Sequence, residues 1–219
     1  MPKISVIMPT FNDRGYLKEA VQSVLDQSFK DFELIIKDGS PHPSFLSLPR
    51  NEKIKVIWGK DRGITDAMNT AMKIATGDIF CWANDDDLMD KDALQTVIDN
   101  IGDNKWLYGN IEMFNGGQAF IWGGDWDYER LKEGNFVPQP AVYWTKEAYR
   151  EVGEMSEEND LVSDYEYWLR LGSKYEPKRI NNIMARYRVH KDQITVKITA
   201  EQLRQADNIK KLYANTNNR

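Results

Sequence analysis

Short apolar runs and amphipathic segments take turns through residues 3–101, and few folds accommodate that order. KISVIM (3–8), FELIIK (32–37), KIKVIW (53–58) and DIFCWA (78–83) are each too short for a buried helix. KISVIM reads as a buried strand, and the other three as the strands that follow it. Between them Leu17, Ala20, Val21, Val24 and Leu25 recur at helical spacing, as do Ala67, Met68, Ala71, Met72 and Ala75. Leu94, Val97, Ile98 and Ile101 repeat the pattern once more. The second of these helices is expected to stop at Gly77, a good C-cap residue. Strands alternating with helices predict an α/β fold: a Rossmann-like, mostly parallel central sheet with helices on both faces. Such sheets bind ligands just past the carboxyl ends of their strands, so the residues there carry the functional argument.

Beyond residue 101 the order loosens. WLYGNIEMF (106–114) and QAFIW (118–122) predict paired strands joined at Gly116 and Gly117, and AVYW (141–144) suggests another. Helices are expected near 146–152 and 163–173, a strand over 183–189, and a polar amphipathic helix over 199–214. No repeat, low-complexity stretch or linker divides the chain. Residues 1–198 therefore read as one domain, followed by a C-terminal helix over 199–219.

Composition narrows the partners. A net charge of -5 and a pI of about 5.2 argue against nucleic acid, whose binders usually neutralise phosphates with a basic surface. A single cysteine, Cys81, allows no intrachain disulfide and suits a reducing compartment. The first apolar run is too short for a signal peptide. No stretch approaches the roughly 20 apolar residues of a membrane span. The expectation is a cytoplasmic protein, free to visit the inner face of a membrane.

The strand ends hold the chemistry. PTFN (9–12) follows the first strand, where a dinucleotide-binding unit would place G-x-G-x-x-G. Asp38 follows the second; it could accept hydrogen bonds from a nucleobase or ribose, or simply make an Asp-Gly turn. NDDD (84–87) follows the fourth and is the strongest local signal. Three successive carboxylates repel one another, and a hard divalent cation would offset that repulsion. Acids favouring the start of the next helix are the plainer alternative. Asp164 opens the helical SDYEYWLRL (163–171), and His190 follows the last strand; each also admits a purely structural role. His42, between two prolines, is given none.

Taken in order, these segments resemble the family 2 glycosyltransferases with the GT-A fold. SVIMPTFN and LKEAVQSVLDQSFKDFELIIKDGS match the family's opening. DRGITDAMNTAMKIATGDIFCWANDDDL matches its middle, leading into the Asp-x-Asp region. VPQPAVYWTKEAYREVG, SDYEYWLRL and YRVHKDQIT match its acceptor half and closing histidine segment, so the likeness spans roughly residues 3–196. It implies a nucleotide-sugar-binding half (1–112) and an acceptor-binding half (113–198). It further implies an inverting transfer from a nucleoside-diphosphate sugar, a UDP-sugar favoured, with Mn2+ or Mg2+. The acceptor would be a saccharide or lipid-linked saccharide of cell-surface polysaccharide, capsule or lipopolysaccharide synthesis.

By the same likeness Pro9, Phe11 and Asp38 lie at the nucleotide base, and Asp61 and Arg62 approach the donor. Asp85 and Asp86 stand for the Asp-x-Asp pair. Asp86 is the foremost metal ligand, with His190 at the metal or diphosphate and Asp87 beside them on the metal or the donor sugar. Asp164 is the general base. Four departures stand out: Asn84 where an acid is usual, Ser163 for a glutamate, Lys37 for an acid, and PHPSF after the Asp-Gly-Ser turn. Asn84 leaves the metal register open by one residue. An inactive scaffold would lack the base or the metal acids, a carbohydrate-binding module would need no such cluster, and a sugar-nucleotide pyrophosphorylase would show a glycine-rich loop after the first strand. Trp122, Trp126, Trp144 and Trp168 lie in the acceptor half, without any one singled out for a sugar.

Overall fold

The computed structural model describes residues 3–114, 119–193 and 200–214. The four expected strands, β1 (Ile4–Thr10), β2 (Phe32–Asp38), β3 (Ile54–Trp58) and β4 (Ile79–Trp82), pair in parallel in the order β3-β2-β1-β4. Every residue of β1 and β2 is buried. Alternation along β1 splits the core in two. Ile4, Val6 and Met8 pack against α1 (Leu17–Leu25) and α3 (Ala93–Ile101), whereas Ile7 faces α2 (Ile64–Ile74). Each buried aliphatic side chain contributes about 1.5–3 kcal/mol. A one-residue slip would exchange the two faces, so the register is firmly set.

The rest of the sheet continues across an antiparallel strand. β8 (Val142–Thr145) pairs antiparallel with β4 and with β6 (Trp106–Phe114), and β9 (Lys178–Arg188) runs parallel to β6. The two-residue β5 (Leu88–Met89) closes the edge against β9, and β7 (Phe120–Trp122) pairs with the far end of β6. α4 (Tyr128–Glu133), α5 (Lys146–Val152), α6 (Ser163–Lys174) and α7 (Ala200–Ala214) complete the molecule. Trp106, Trp144 and Trp168 are fully buried in the second core, with Trp106 and Trp168 stacked 6.1 Å apart. No helix of the described residues is long and apolar enough to cross a membrane.

Sequence periodicity missed α4 and β5, both too short to show a period, and β9 begins at Lys178, earlier than 183. The glycines expected to turn the β6–β7 hairpin, Gly116 and Gly117, lie outside the described residues.

Gly77 is a correction. α2 ends at Ile74, and the cap N–H of Ala75 bonds Met72 O. Gly77 serves instead as a close approach to β1. A Cβ there would sit 2.7 Å from the Ser5 backbone nitrogen, and its N–H donates to Ser5 Oγ at 2.9 Å. Ser5 Oγ in turn donates to Glu33 Oε1 (2.6 Å), which also accepts from Thr76 N (2.7 Å) and Thr76 Oγ1 (2.8 Å). Burial raises the Glu33 pKa, but the bonds from Lys55, Ser5 and Thr76 outweigh it and hold the carboxyl down at about 2. A folded pKa below the unfolded value contributes stability above about pH 4. Acidification towards pH 2 removes it. Gly77→Ala drives a methyl into this junction. It is expected to cost about 1–3 kcal/mol by overpacking, read as a lowered urea midpoint with an unchanged slope.

Candidate active site

A cleft of about 1100 Å³ opens past the carboxyl ends of β1 and β4. On one wall the chain leaves β4 through Asn84, Asp85, Asp86 and Asp87, and each side chain takes a different partner. Asn84 Nδ2 donates to Asp87 Oδ2 (2.8 Å) and to Gln139 Oε1 (2.9 Å), while Gln139 Nε2 donates to Trp82 O (2.9 Å). Thr10 Oγ1 at the end of β1 donates to Asp85 Oδ2 at 2.6 Å. Asp86 Oδ2 lies 3.0 Å from His190 Nε2 and 4.0 Å from Arg14 Nη1. Asp87 turns inward, 5% exposed, where Oδ1 accepts the Arg188 N–H at 2.8 Å.

Arg188 fixes this turn from behind. Its Nε donates to Asp86 O (2.9 Å) and its Nη2 to Glu19 Oε2 (2.6 Å). The guanidinium lies over the Tyr16 and Phe114 rings, 4.6 and 4.9 Å from their centroids. Tyr16 also packs on His190, with ring centroids 4.9 Å apart. His190 Nδ1 lies 3.3 Å from the Asp192 N–H, which leaves Nε2 as the ring nitrogen directed at Asp86. Burial pushes Asp85 up to about 6, against the Thr10 bond, and pushes Asp87 up to about 7, with the Asp86 charge adding to it. Crowded acids out of water hold their protons longer.

The same cleft is lined by Asp164, in the first turn of α6. Asn135 Nδ2 donates to its Oδ2 at 3.1 Å. Tyr165 OH donates to Leu131 O (2.8 Å) and so ties this turn to the end of α4. Burial raises the Asp164 pKa above the ordinary aspartate value, outweighing the Tyr165 and Asp164 N–H groups and Asn135. A carboxylate poised this way accepts protons nearer neutral pH.

The family described as Glycosyl transferase family 2 matches residues 5–156 of the chain. The chain belongs to that family. It is therefore a glycosyltransferase. A PGL/p-HBAD biosynthesis glycosyltransferase of Mycobacterium bovis is 28% identical over 180 residues, covering 77% of this chain and 69% of that protein. An uncharacterized glycosyltransferase of Rickettsia conorii is 25% identical over 224 residues, covering 90% of this chain and 35% of its relative. Among solved structures, S. aureus TarS 1-349 in complex with UDP-GlcNAc aligns at TM-score 0.75 and 16% identity, over 99% of this chain and 68% of that one. The mannosyltransferase PcManGT from Pyrobaculum calidifontis, in complex with GDP-Man and Mn2+, aligns at 0.72 and 15%, over 100% and 66%. The chain covers 37% of the longer TarS structure. These alignments give the glycosyltransferase its GT-A fold.

Within this frame the cleft gathers Pro9, Phe11, Asp61, Arg62, Asp85, Asp86 and Asp164. Asp38 stands apart from the role expected for it. It is fully buried, and its carboxylate accepts the N–H groups of Ser40 (2.9 Å), Ser44 (2.7 Å) and Phe45 (3.2 Å). It shapes the PHPSF loop, the segment that departs from the family pattern. Lys37, the other departure nearby, pairs with Asp61 at 3.0 Å. Arg62 bonds both Asp66 and Glu157 at 2.8 Å. Arg14, Asn135, Gln139 and Arg188 join the site without having been singled out in sequence, since each works through tertiary partners.

Among the described residues no three His, Cys, Asp or Glu side chains converge as metal ligands. Asp86 and His190 are two that meet, while Asp87 is committed to Asn84 and Arg188. Two protein ligands suit Mg2+ or Mn2+, which commonly keep phosphate oxygens and water for the remaining positions. The donor set therefore fits such an ion.

Proposed function

We propose that this glycosyltransferase moves a sugar from a nucleoside-diphosphate donor, a UDP-sugar favoured, to an acceptor hydroxyl with inversion at the anomeric carbon. One observation carries the reading: a single cleft is lined both by Asp86, whose carboxylate meets His190, and by Asp164 with its raised pKa. Neighbours solved with UDP-GlcNAc, UDP and GDP-Man support a nucleotide-sugar donor, and the Mn2+ complex supports a divalent ion. In this reading residues 1–112 hold the donor and 113–198 the acceptor.

Asp86 and His190 would hold the metal ion, which supplies Lewis-acid neutralisation of the departing diphosphate. Pro9 and Phe11 line the nucleotide side of the cleft, with Asp61 and Arg62 nearby. Asp85, bonded to Thr10, faces the donor, and Asp87 braces the turn from inside. Asp164 accepts the acceptor's proton as its oxygen attacks from the face opposite the leaving group. Asn135 aims the carboxylate, and placement of the two substrates in one cleft supplies much of the remaining rate. The acceptor is a saccharide or lipid-linked saccharide, reached from the cytoplasmic side of a membrane. The mycobacterial relative's name supports a biosynthetic role.

Calorimetric titration with UDP, GDP and dTDP, each with Mn2+ and with a chelator, tests the donor site. One nucleotide is expected to bind tightly only with the ion, UDP first among them. Absence of ion-dependent binding for all three would sink the reading.

A further inference from the structure

The C-terminal helix supplies part of the cleft wall, and it brings a cation there. α7 presents two adjacent ridges at i, i+4 spacing. One ridge anchors it: Ile209 is 1% exposed, Gln205 Oε1 accepts the Leu161 N–H (3.1 Å), and Tyr213 OH donates to Glu166 Oε1 (3.0 Å). The other ridge, Gln202, Ala206 and Lys210, lines the cleft. Anchoring through Leu161 and Glu166 places α7 beside the segment that leads into Asp164.

Among the described residues three cations line this cleft. Arg14 sits 4.0 Å from Asp86, and Arg62 is held by Asp66 and Glu157. Lys210, half-buried, makes no ion pair or hydrogen bond with any described residue. Two acids of the same cleft are engaged otherwise: Asp160 Oδ1 accepts the Thr65 N–H (2.8 Å) and Asp164 Oδ2 accepts from Asn135 Nδ2. A lysine drawn partly out of water without a counter-charge is unfavourable until an anion arrives.

We propose that Lys210 is a specificity residue that selects an acceptor bearing an anionic group, a carboxylate or a phosphate, beside the attacking hydroxyl. This rests on the assignment of Asp164 as the acceptor-side base. The ammonium makes a charge-assisted hydrogen bond to that group, and such bonds favour the charged over the neutral ligand about tenfold.

The test uses three small probes by ligand-observed NMR titration against the whole chain: methyl β-glucuronide, glycerol 1-phosphate and methyl β-glucoside. Each is titrated with and without UDP and Mn2+, for wild type, Lys210→Ala and Lys210→Gln. At least one charged probe is expected to bind about tenfold tighter than the glucoside, with the gap shrinking in added salt. Both variants erase the gap and leave UDP affinity and the melting temperature unchanged. Preference for the glucuronide alone assigns a carboxylate, for the phosphate alone a phosphate. The proposal is overturned if the glucoside binds as well as both charged probes, if neither charged probe binds, or if the variants keep the preference. It is equally overturned if they weaken UDP instead, which would move Lys210 to the donor. Failure of wild type to bind any nucleotide counts against the donor site, and the nucleotide-free arm still reads Lys210.

Discussion

Asp164→Asn is expected to remove sugar transfer while leaving nucleotide binding and the fold in place. The substitution keeps the shape of the side chain and its neighbour Asn135, and removes only the capacity to take a proton. General-base loss of this kind lowers kcat by about 10²–10⁴-fold. The stability change has a definite sign. Burial raises the folded pKa of Asp164, so ionising it at neutral pH opposes folding, and a neutral amide relieves that cost. The variant should therefore melt at the same temperature as wild type or higher, a trade of activity against stability. In wild type the acid limb of kcat/KM reports the base. Activity should rise with pH through a midpoint above the ordinary aspartate value and become flat in Asp164→Asn. A variant that retains near-normal turnover, or an acid limb unchanged by the substitution, would assign the base elsewhere.

Asp86→Ala carries the second large effect, and its neighbour supplies the control. Asp86 Oδ2 is where His190 and Arg14 converge at the cleft surface. Asp87 is spent inside the protein on Asn84 and on the Arg188 backbone. Removing Asp86 should abolish the ion-dependent part of nucleotide affinity, a loss of about a hundredfold, consistent with several kcal/mol of charge neutralisation. The fold should stay intact, because among the described residues the Asp86 carboxylate meets only the His190 and Arg14 side chains and caps no backbone group. Asp87→Ala should do the reverse at first instance. It leaves the Arg188 N–H and Asn84 amide without their acceptor, which costs about 1–3 kcal/mol and a lower melting temperature. Paired calorimetry and thermal denaturation separate the two. An Asp86→Ala protein that still binds its nucleotide only with Mn2+ would move the ion to another register.

The sequence made the first half of the fold readable because burial there is regular. β1, β2 and β4 are covered on both faces, so their apolar runs are unbroken, and α1, α2 and α3 keep one clean apolar stripe. Two short elements stayed hidden for a physical reason. A two-residue strand and a six-residue helix are shorter than the periods that would betray them. Gly77 shows the same limit: a glycine after a helical stripe suggests a cap, yet the backbone of Ser5, distant in sequence, is what requires it. At the site, position was legible and direction was not. The strand-end rule brought Pro9, Phe11, Asp85 and Asp86 to the cleft together with Asp164. Nothing in NDDD says which acid turns inward. Asp38 lies at a strand end as the rule asks, but three backbone N–H groups from its own loop capture it. Arg188 sits inside YRVHKDQIT without standing out there, since its contacts come from α1, β6 and the turn after β4.

The turn after β4 assigns three consecutive carboxylates to three separate receivers: Thr10 for Asp85, His190 for Asp86, and the Arg188 backbone for Asp87. Such an arrangement counts residues. Exchanging one side chain disturbs one receiver, but inserting or deleting a single residue between Trp82 and Leu88 shifts every acid to its neighbour's place at once. Diversification of this enzyme by loop length is closed at that turn, and remains open where the chain meets solvent.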